Sequence, residues 1–476
     1  MNLYIHNHKY HYETENLTRA FFFADDLQVI HEYDAPQEPY ILTSVTDRVS
    51  VDVRINGFHD VLSAPCGDDD ELTMAQLLYT LLSRVSGRTL PWGILTGVRP
   101  IKLFSTLADQ DGEEAAKTYF RDTLMVSREK TDLALRVALN QRAILSRSSK
   151  RSFSLYVSIP FCPTRCNYCS FVSQSIEKAK KLIDDYLPLL LREIRYTAAL
   201  SKQLDLRLLS VYIGGGTPTT LSAEQLDQLL SEIEADFDLS DCAEFTVEAG
   251  RPDTVTREKL LALKRHAVTR ISINPQTFND SVLETIGRKH TSRQTLDAYH
   301  LARELGFDNI NMDLIAGLTS DTPDSFRSTI DTVRNLDPES VTVHTLAVKR
   351  SARVNAALAE REHGYTSEML AYATQQLSDG GWQPYYLYRQ SKMLSNLENV
   401  GWAKPGYFSP YNIYIMEETH SILACGAGAV TKLRDTASNH LERIFNFKFP
   451  YEYISRFDEL LARKDRVVSF YDEYNR

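Results

Sequence analysis

Cysteine is scarce in this chain, with six in 476 residues. Long apolar runs are missing too: nothing approaches the roughly 20 residues that a membrane-crossing helix needs. The amino terminus lacks the charged-then-apolar pattern of an export signal, so the reading expects a cytoplasmic protein whose thiols stay reduced. A disulfide framework and a membrane location are thereby excluded. Positive charge is also in deficit. The net charge is −10 and no Lys/Arg block stands out, which argues against nucleic acid as a partner and leaves any anionic ligand to be met by local basic groups. The remaining composition, 43% hydrophobic and 24% charged, is that of an ordinary globular protein with enough apolar residues for sizeable cores.

The few cysteines that exist are unevenly placed. Cys162, Cys166 and Cys169 fall within Tyr-Val-Ser-Ile-Pro-Phe-Cys-Pro-Thr-Arg-Cys-Asn-Tyr-Cys-Ser-Phe, while Cys66, Cys242 and Cys425 are scattered singly and read as small buried hydrophobes. Soft thiolates select zinc, copper(I) or iron–sulfur clusters, and structural zinc wants four closed ligands. No second Cys or His pair follows. Protein-bound four-iron clusters normally take four Cys, so three without a fourth suit a 4Fe-4S cluster with one iron open to a small molecule.

The Cys-x3-Cys-x2-Cys spacing, with Tyr168 before the last Cys, resembles the signature of radical S-adenosylmethionine (SAM) enzymes. The resemblance implies that Cys162, Cys166 and Cys169 hold the cluster and that SAM chelates the open iron. Reductive cleavage of SAM then gives a 5′-deoxyadenosyl radical that abstracts an unactivated hydrogen.

Length predicts about three domains at roughly 150 residues each. From about Phe153 to Val348, short β-rich runs alternate with amphipathic helices, the pattern of a parallel sheet with crossover helices. Six strands are expected: Leu155–Ile159, Leu208–Ile213, Glu244–Glu248, Thr269–Ile273, Asn309–Leu314 and Ser340–Leu346. Leu226, Leu229, Leu230 and Ile233 share a helical face behind a Ser222/Gln225 capping box, Thr291/Gln294 repeats that box, and Thr322-Pro323 starts another helix. The fold class is therefore α/β: a partial (β/α)6 barrel over 151–352, preceded by an α+β domain with helical connector over 1–150 and followed by a C-terminal α+β extension over 353–476 that would cover the substrate. In the first part, Val49, Val51, Val53 and Ile55 alternate with polar residues before an Asn56-Gly57 turn, which is a strand entering a hairpin. Met74, Leu77, Leu78, Leu81 and Val85 then mark an amphipathic helix. His6, His8 and His11 read as surface residues, not as a metal site. No function is legible for this domain.

In such barrels ligands meet the carboxyl ends of the strands, and the unusual residues gather there. They are the Cys loop, then Gly214-Gly215-Gly216-Thr217-Pro218, Glu248, Gln276, Asp313 and His344. A glycine triplet brings backbone close to a ligand and leaves its amides free. It resembles the GGE-like motif of radical SAM enzymes, which implies that Gly214, Gly215 and Thr217 lie at the SAM amino group. Phosphate binding is the weaker option, since no Gly-Lys-Ser/Thr follows.

From about 150 to 350 the chain resembles the oxygen-independent coproporphyrinogen III oxidases. The strings are Tyr156 opening Tyr-Val-Ser-Ile-Pro-Phe-Cys, Glu248 in Thr-Val-Glu-Ala, Gln276 in Ile-Ser-Ile-Asn-Pro-Gln-Thr-Phe-Asn-Asp, Arg288 in Ile-Gly-Arg-Lys-His, and Asp313 in Asn-Met-Asp-Leu-Ile-Ala-Gly-Leu. The resemblance implies that Tyr156, Glu248, Gln276, Arg288 and Asp313 hold SAM. The stretches Leu95-Thr-Gly-Val-Arg-Pro-Ile-Lys-Leu103 and Pro384-Tyr-Tyr-Leu-Tyr-Arg-Gln390 resemble a longer bacterial, coproporphyrinogen dehydrogenase-like branch of that family. The implied reaction converts two propionates of coproporphyrinogen III to vinyls, giving protoporphyrinogen IX, with an electron donor for the cluster and an acceptor for the leftover electron.

A substrate with four carboxylates calls for fixed cations, for which Lys349, Arg350, Arg353, Arg389 and Lys392 are candidates. Tyr385, Tyr386, Trp402 and Tyr407 offer either flat apolar walls or core. Two positions depart from the oxidases, which carry Cys where Phe171 stands and His where Ser158 stands. The Cys-x-Tyr-Cys-x-Phe form is closer to haem-chaperone relatives, yet the chaperone's His-Asn pair is Glu398-Asn399 here. A chaperone-like protein and a radical SAM methyltransferase acting on haem stay open as alternatives.

Overall fold

The computed structural model describes residues 1–22, 27–32, 35–169, 173–347, 363–390 and 396–474. Phe171, Lys349, Arg350, Arg353 and Lys392 lie outside them.

The amino-terminal region builds its own sheet from β1 (Asn2–His6), β2 (Gln28–Ile30), β3 (Tyr40–Val45), β4 (Arg48–Ile55) and β5 (Phe58–Pro65), in the order β2-β1-β3-β4-β5. The alternation read from Val49 to Ile55 is exact in register: those four side chains face inward and are buried. Asn56 and Gly57 both take positive φ, 51° and 83°, the type I′ turn whose twist matches a hairpin. Helix Asp70–Ser86, capped by the Asp69 carboxylate on the Leu72 amide, lays Met74, Leu78, Leu81 and Leu82 on this sheet. His6 and His11 are exposed, as the surface reading expects, whereas His8 is half-buried with its ring nitrogens on Thr43 and the Tyr10 amide. A helical connector ends in Arg128–Leu145.

Next come β6 (Ser152–Ile159), the two-residue pair β7 (Phe161–Cys162) and β8 (Gln174–Ser175), and then β9 (Arg207–Gly215), β10 (Glu244–Glu248), β11 (Arg270–Ser272), β12 (Ile310–Ala316) and β13 (Ser340–Thr345). β6, β9, β10, β11, β12 and β13 pair in parallel in chain order, each followed by a helix, and form the expected six-unit barrel sheet. Both capping boxes close as read from the sequence, and Thr322 caps the helix that begins at Pro323. Leu226, Leu229, Leu230 and Ile233 are fully buried.

The expected boundaries shift in one informative place. β9 runs two residues past Ile213, and Gly214 and Gly215 pair with Ser158 and Ile159 of β6. These two glycines are strand residues, not a free loop. The carboxyl-terminal part adds strands to both edges: β14 (Gln383–Tyr388) and β15 (Asn399–Ala403) join antiparallel beyond β13, while β16 (Ser421–Cys425) runs parallel to β6 and carries β17 (Val430–Arg434) and β18 (Leu441–Phe445). The result is one sheet of 11 strands. Among the described residues no helix is long and apolar enough to cross a membrane.

Candidate functional site

The carboxyl ends of the barrel strands open on a cavity of ≈ 290 Å³. Cys162, Cys166 and Cys169 line it together with Gly215, Gly216, Thr217, Glu248, Gln276, Arg288 and Asp313. Of the residues expected to hold the cluster and SAM, only Tyr156 and Gly214 do not line this cavity. Tyr156 sits one layer down, stacked on Tyr212 and Tyr411 inside the barrel with interplanar angles of 22° and 16°.

The glycines have an internal reason. A Cβ on Gly216 would stand 2.5 Å from the Phe161 carbonyl oxygen, and one on Gly215, whose φ is +104°, would stand 2.8 Å from Ser158 Oγ. The end of β6 and the start of the Cys loop pack directly on them. Thr217 continues the contact: its amide donates to the Phe161 carbonyl at 2.7 Å and its hydroxyl to Cys162 Sγ at 3.5 Å.

The Cys loop is fixed largely by neutral bonds to residues 285–287. Asn167 donates from its amide to the Ile286 carbonyl (2.9 Å) and from its side chain to the Thr285 carbonyl (3.0 Å), and Thr164 donates to the Gly287 carbonyl (3.2 Å). Two guanidinium groups approach from below. Arg288 donates to the Asn274 carbonyl and to the Tyr168 hydroxyl, and Arg251 donates toward Cys166 Sγ at 3.9 Å. Tyr168 is pushed well above the usual phenol range by burial, which outweighs the pull of Arg288.

The two carboxylates of the cavity differ. Burial pushes Glu248 up to about 7, even though the Tyr212 hydroxyl donates to it at 2.5 Å. Asp313 is also buried, but His344, Asn311 and Arg270 outweigh that burial and hold it below the usual carboxylate range. Asn311 donates to it at 2.8 Å, and His344 Nε2 lies 3.9 Å away. Gln276 takes a left-handed backbone, φ 67°, while its amide donates to the Asp313 carbonyl at 2.9 Å and its carbonyl accepts from the Ile315 amide. A non-glycine residue held there by two backbone bonds aims its side chain by strain, a feature that gathers at functional sites.

The far side of the cavity comes from a part of the chain without regular periodicity: Tyr388, Gln390 and Asn399 line it beside His344 and Thr345. Sequence reasoning also missed Gly250, Arg251 and Asn274. The positional rule that found Glu248 and Gln276 covers them, since they lie just past β10 and β11. Arg389, expected to face an anionic substrate, is turned away. It is 3% exposed, donates to the Leu95 carbonyl at 2.6 Å and its main chain donates to Val98. Its charge satisfies carbonyls of the amino-terminal region, and burial lowers it to about 10. Tyr385, Tyr386 and Trp402 are core, at 0%, 5% and 1% exposure, and Tyr407 packs partly buried against the same cluster. They are not cavity walls.

The donor set fits a cluster and SAM. Among the described residues no three His, Cys, Asp or Glu are drawn together as ligands of a single ion. Thiols distributed along one wall suit a polynuclear cluster, where each sulfur meets a different iron. Acceptor carboxylates and a guanidinium lining the cavity complement the ammonium, hydroxyl and carboxylate groups of SAM.

Comparison with known proteins agrees with this geometry. The profile of the radical SAM superfamily matches residues 156–333. The oxygen-independent coproporphyrinogen-III oxidase-like protein HemZ of Bacillus subtilis (strain 168) is 36% identical over 485 residues, taking in 98% of this chain and 96% of that protein. The heme chaperone HemW of the same organism is 42% identical over 197 residues, which is 41% of this chain and 51% of the chaperone. The solved structure of coproporphyrinogen III oxidase (HemN) from Escherichia coli, a radical SAM enzyme, aligns with a TM-score of 0.52 at 25% identity over 68% of this chain and 72% of that one.

Proposed function

The chain belongs to the oxygen-independent coproporphyrinogen III oxidase family of radical SAM proteins, and from that premise we propose that it decarboxylates two propionates of coproporphyrinogen III to the vinyls of protoporphyrinogen IX in haem biosynthesis. The family uses a 4Fe-4S cluster and SAM. When bound, they supply reductive cleavage of SAM and, through it, removal of a hydrogen atom from an unactivated carbon.

In this reading Cys162, Cys166 and Cys169 hold the cluster. Gly215 and Thr217 lie beneath SAM, and Glu248, Gln276, Arg288 and Asp313 bind its polar groups. Gly214 and Tyr156 act from behind, Gly214 by leaving room for the Glu248 carboxyl and Tyr156 by stacking under Tyr212. Each propionate loses a β-hydrogen atom and carbon dioxide, and the remaining electron passes to a one-electron acceptor. His344, Tyr388, Gln390 and Asn399 form the wall that faces the tetrapyrrole. The reaction is assigned to the cytoplasm, with an external electron donor for the cluster.

The observation that carries this reading is coverage. The oxidase-like relative matches 98% of the chain, whereas the heme chaperones of Bacillus subtilis and Lactococcus lactis match 41% and 66% of it. The chaperone-like alternative draws on the Cys-x-Tyr-Cys-x-Phe form of the Cys loop. Ser158, which stands where the oxidases have His, donates to the Ala427 carbonyl at 2.9 Å and lies against Gly215.

The test is anaerobically reconstituted protein with SAM, a reductant and coproporphyrinogen III. Protoporphyrinogen and 5′-deoxyadenosine are expected. Tight stoichiometric haem binding without turnover would overturn the enzyme reading in favour of the chaperone, and methyl transfer to haem would favour a haem methyltransferase.

A further inference from the structure

Arg251 is a buried cation with a fixed direction. It follows β10 directly and is 3% exposed. Asp253 takes its guanidinium as a fork, with Nε to Oδ1 at 2.9 Å and Nη2 to Oδ2 at 2.8 Å. Its own carbonyl accepts from the Thr254 amide at 2.9 Å and hydroxyl at 2.7 Å. Backbone and side chain are thus both held, and the one nitrogen left over points into the Cys loop. There Nη1 donates to the Thr164 carbonyl (3.3 Å) and hydroxyl (3.2 Å) and approaches Cys166 Sγ at 3.9 Å.

Cys166 is the most buried of the three thiols, at 9% exposure. Arg288 reaches the same sulfur from another strand end. His290, 2% exposed, lies beside both arginines and is kept neutral chiefly by burial. Asp253 is consumed by its fork to Arg251. The net environment of this sulfur is therefore cationic.

Resting on the assignment of Cys166 as a cluster ligand, we propose that Arg251 is a positioning residue that raises the reduction potential of the cluster, by fixing the Cys loop and by placing positive charge against the Cys166 sulfur. The physical basis is that one-electron reduction adds a negative charge to a site already made anionic by thiolates. A hydrogen-bonded cation in a dry pocket favours that reduced state, since net charge, hydrogen bonds to sulfur and burial set cluster potentials. Asp253 keeps the guanidinium aimed and would otherwise be an unpaired buried carboxylate.

The test is a potentiometric titration of the reconstituted full-length protein with dithionite, followed by the electron paramagnetic resonance of the reduced cluster, with iron content measured in parallel. Arg251→Gln is expected to keep its iron and to shift the midpoint to more negative potential. The reduced-to-oxidised ratio at the unaltered midpoint should fall about tenfold, equivalent to about 59 mV for one electron. Arg251→Lys keeps the charge without the fork, so its midpoint should stay nearer the unaltered value, and it serves as the measurable variant if Arg251→Gln does not assemble a cluster. An unchanged midpoint in Arg251→Gln with full iron would overturn the proposal, as would equal shifts in both variants. Full iron and unchanged absorbance in Cys166→Ala would instead refute the ligand assignment beneath it.

Discussion

The two walls of the cavity are built on different principles. On the cysteine side the loop is held mainly by neutral hydrogen bonds to residues 285–287, and the sulfurs of Cys162 and Cys166 take long contacts, 3.5 Å from Thr217 and 3.9 Å from Arg251. On the far side β14 and β15 are clamped by the amino-terminal region. Glu398, 1% exposed, accepts from Trp92 Nε1 and Lys130 Nζ, each at 2.7 Å, and Asn140 donates to the Pro384 carbonyl at 2.9 Å. Arg389 adds its bonds to 95–98, and Arg99 pairs with Glu418 through both guanidinium nitrogens. The first wall is the one that, in the proposed function, a bound cluster completes; the second is held by contacts within the protein. The amino-terminal region braces the cavity without lining it.

The largest expected effect lies on the first wall. Cys166→Ala should lose the cluster, because two thiolates hold it poorly; iron content and visible absorbance after anaerobic reconstitution should both drop to near background. Fold stability without the cluster should change by only about 1 kcal/mol, since a small buried thiol is replaced by a methyl. Retained iron would erase the distinction between the walls.

The second wall should respond in the opposite way. Glu398→Ala leaves the buried Lys130 ammonium only Glu129, 3.8 Å away, and the Trp92 N–H unpartnered, which should cost about 3 kcal/mol. Denaturant unfolding measures this directly, and iron bound per folded chain should stay unchanged. The double variant Glu398→Leu/Lys130→Met removes both charges and should be far milder than the single change. A shift below about 1 kcal/mol in the single variant would show that the clamp contributes little.

The first wall was legible in the sequence and the second was not, for physical reasons. The residues proposed for the cluster and SAM sit at or near the carboxyl ends of strands, so periodicity locates them: Glu248 ends β10 as expected, Asp313 lies in β12, and Gln276 follows β11. Capping boxes at Ser222 and Thr291 are local chemistry that a single segment specifies. Arg389 failed because a basic residue between aromatics reads equally as a ligand contact or as a buried clamp. What decided it was a carbonyl row 294 residues away in the chain. Trp92 and Glu398 are 306 residues apart, and no local pattern announces such a pair. The strings 95–103 and 384–390 resemble the same longer branch, but only the structure shows that they touch, through Arg389 and the Leu95 carbonyl. The glycine triplet was found for its chemistry, but its packing reason, the end of β6 lying against it, required the parallel register.

The smallest expected effect is a pH dependence on the first wall. Burial lifts Glu248 from its ordinary 4.5 to about 7. A carboxyl raised on folding favours the folded state at low pH, and that contribution is lost as pH rises from about 4.5 through about 7. Binding a cationic group such as the SAM ammonium runs the other way, since it needs the ionised carboxylate. Affinity of the reconstituted protein for SAM should therefore fall as pH drops below about 7, approaching tenfold per unit where this group alone titrates, and level off above about 8. Glu417 is also pushed up to about 7 by burial, but it does not line the cavity. It affects stability over the same range without affecting binding. Glu248→Gln separates the two: equilibrium SAM binding between about pH 6 and 8 should become flat, at the weak value that the unaltered protein shows at the acidic end. If the variant keeps the unaltered slope, the titrating group lies elsewhere, and Glu248 then serves to hold Tyr212 in the barrel instead of meeting the ligand.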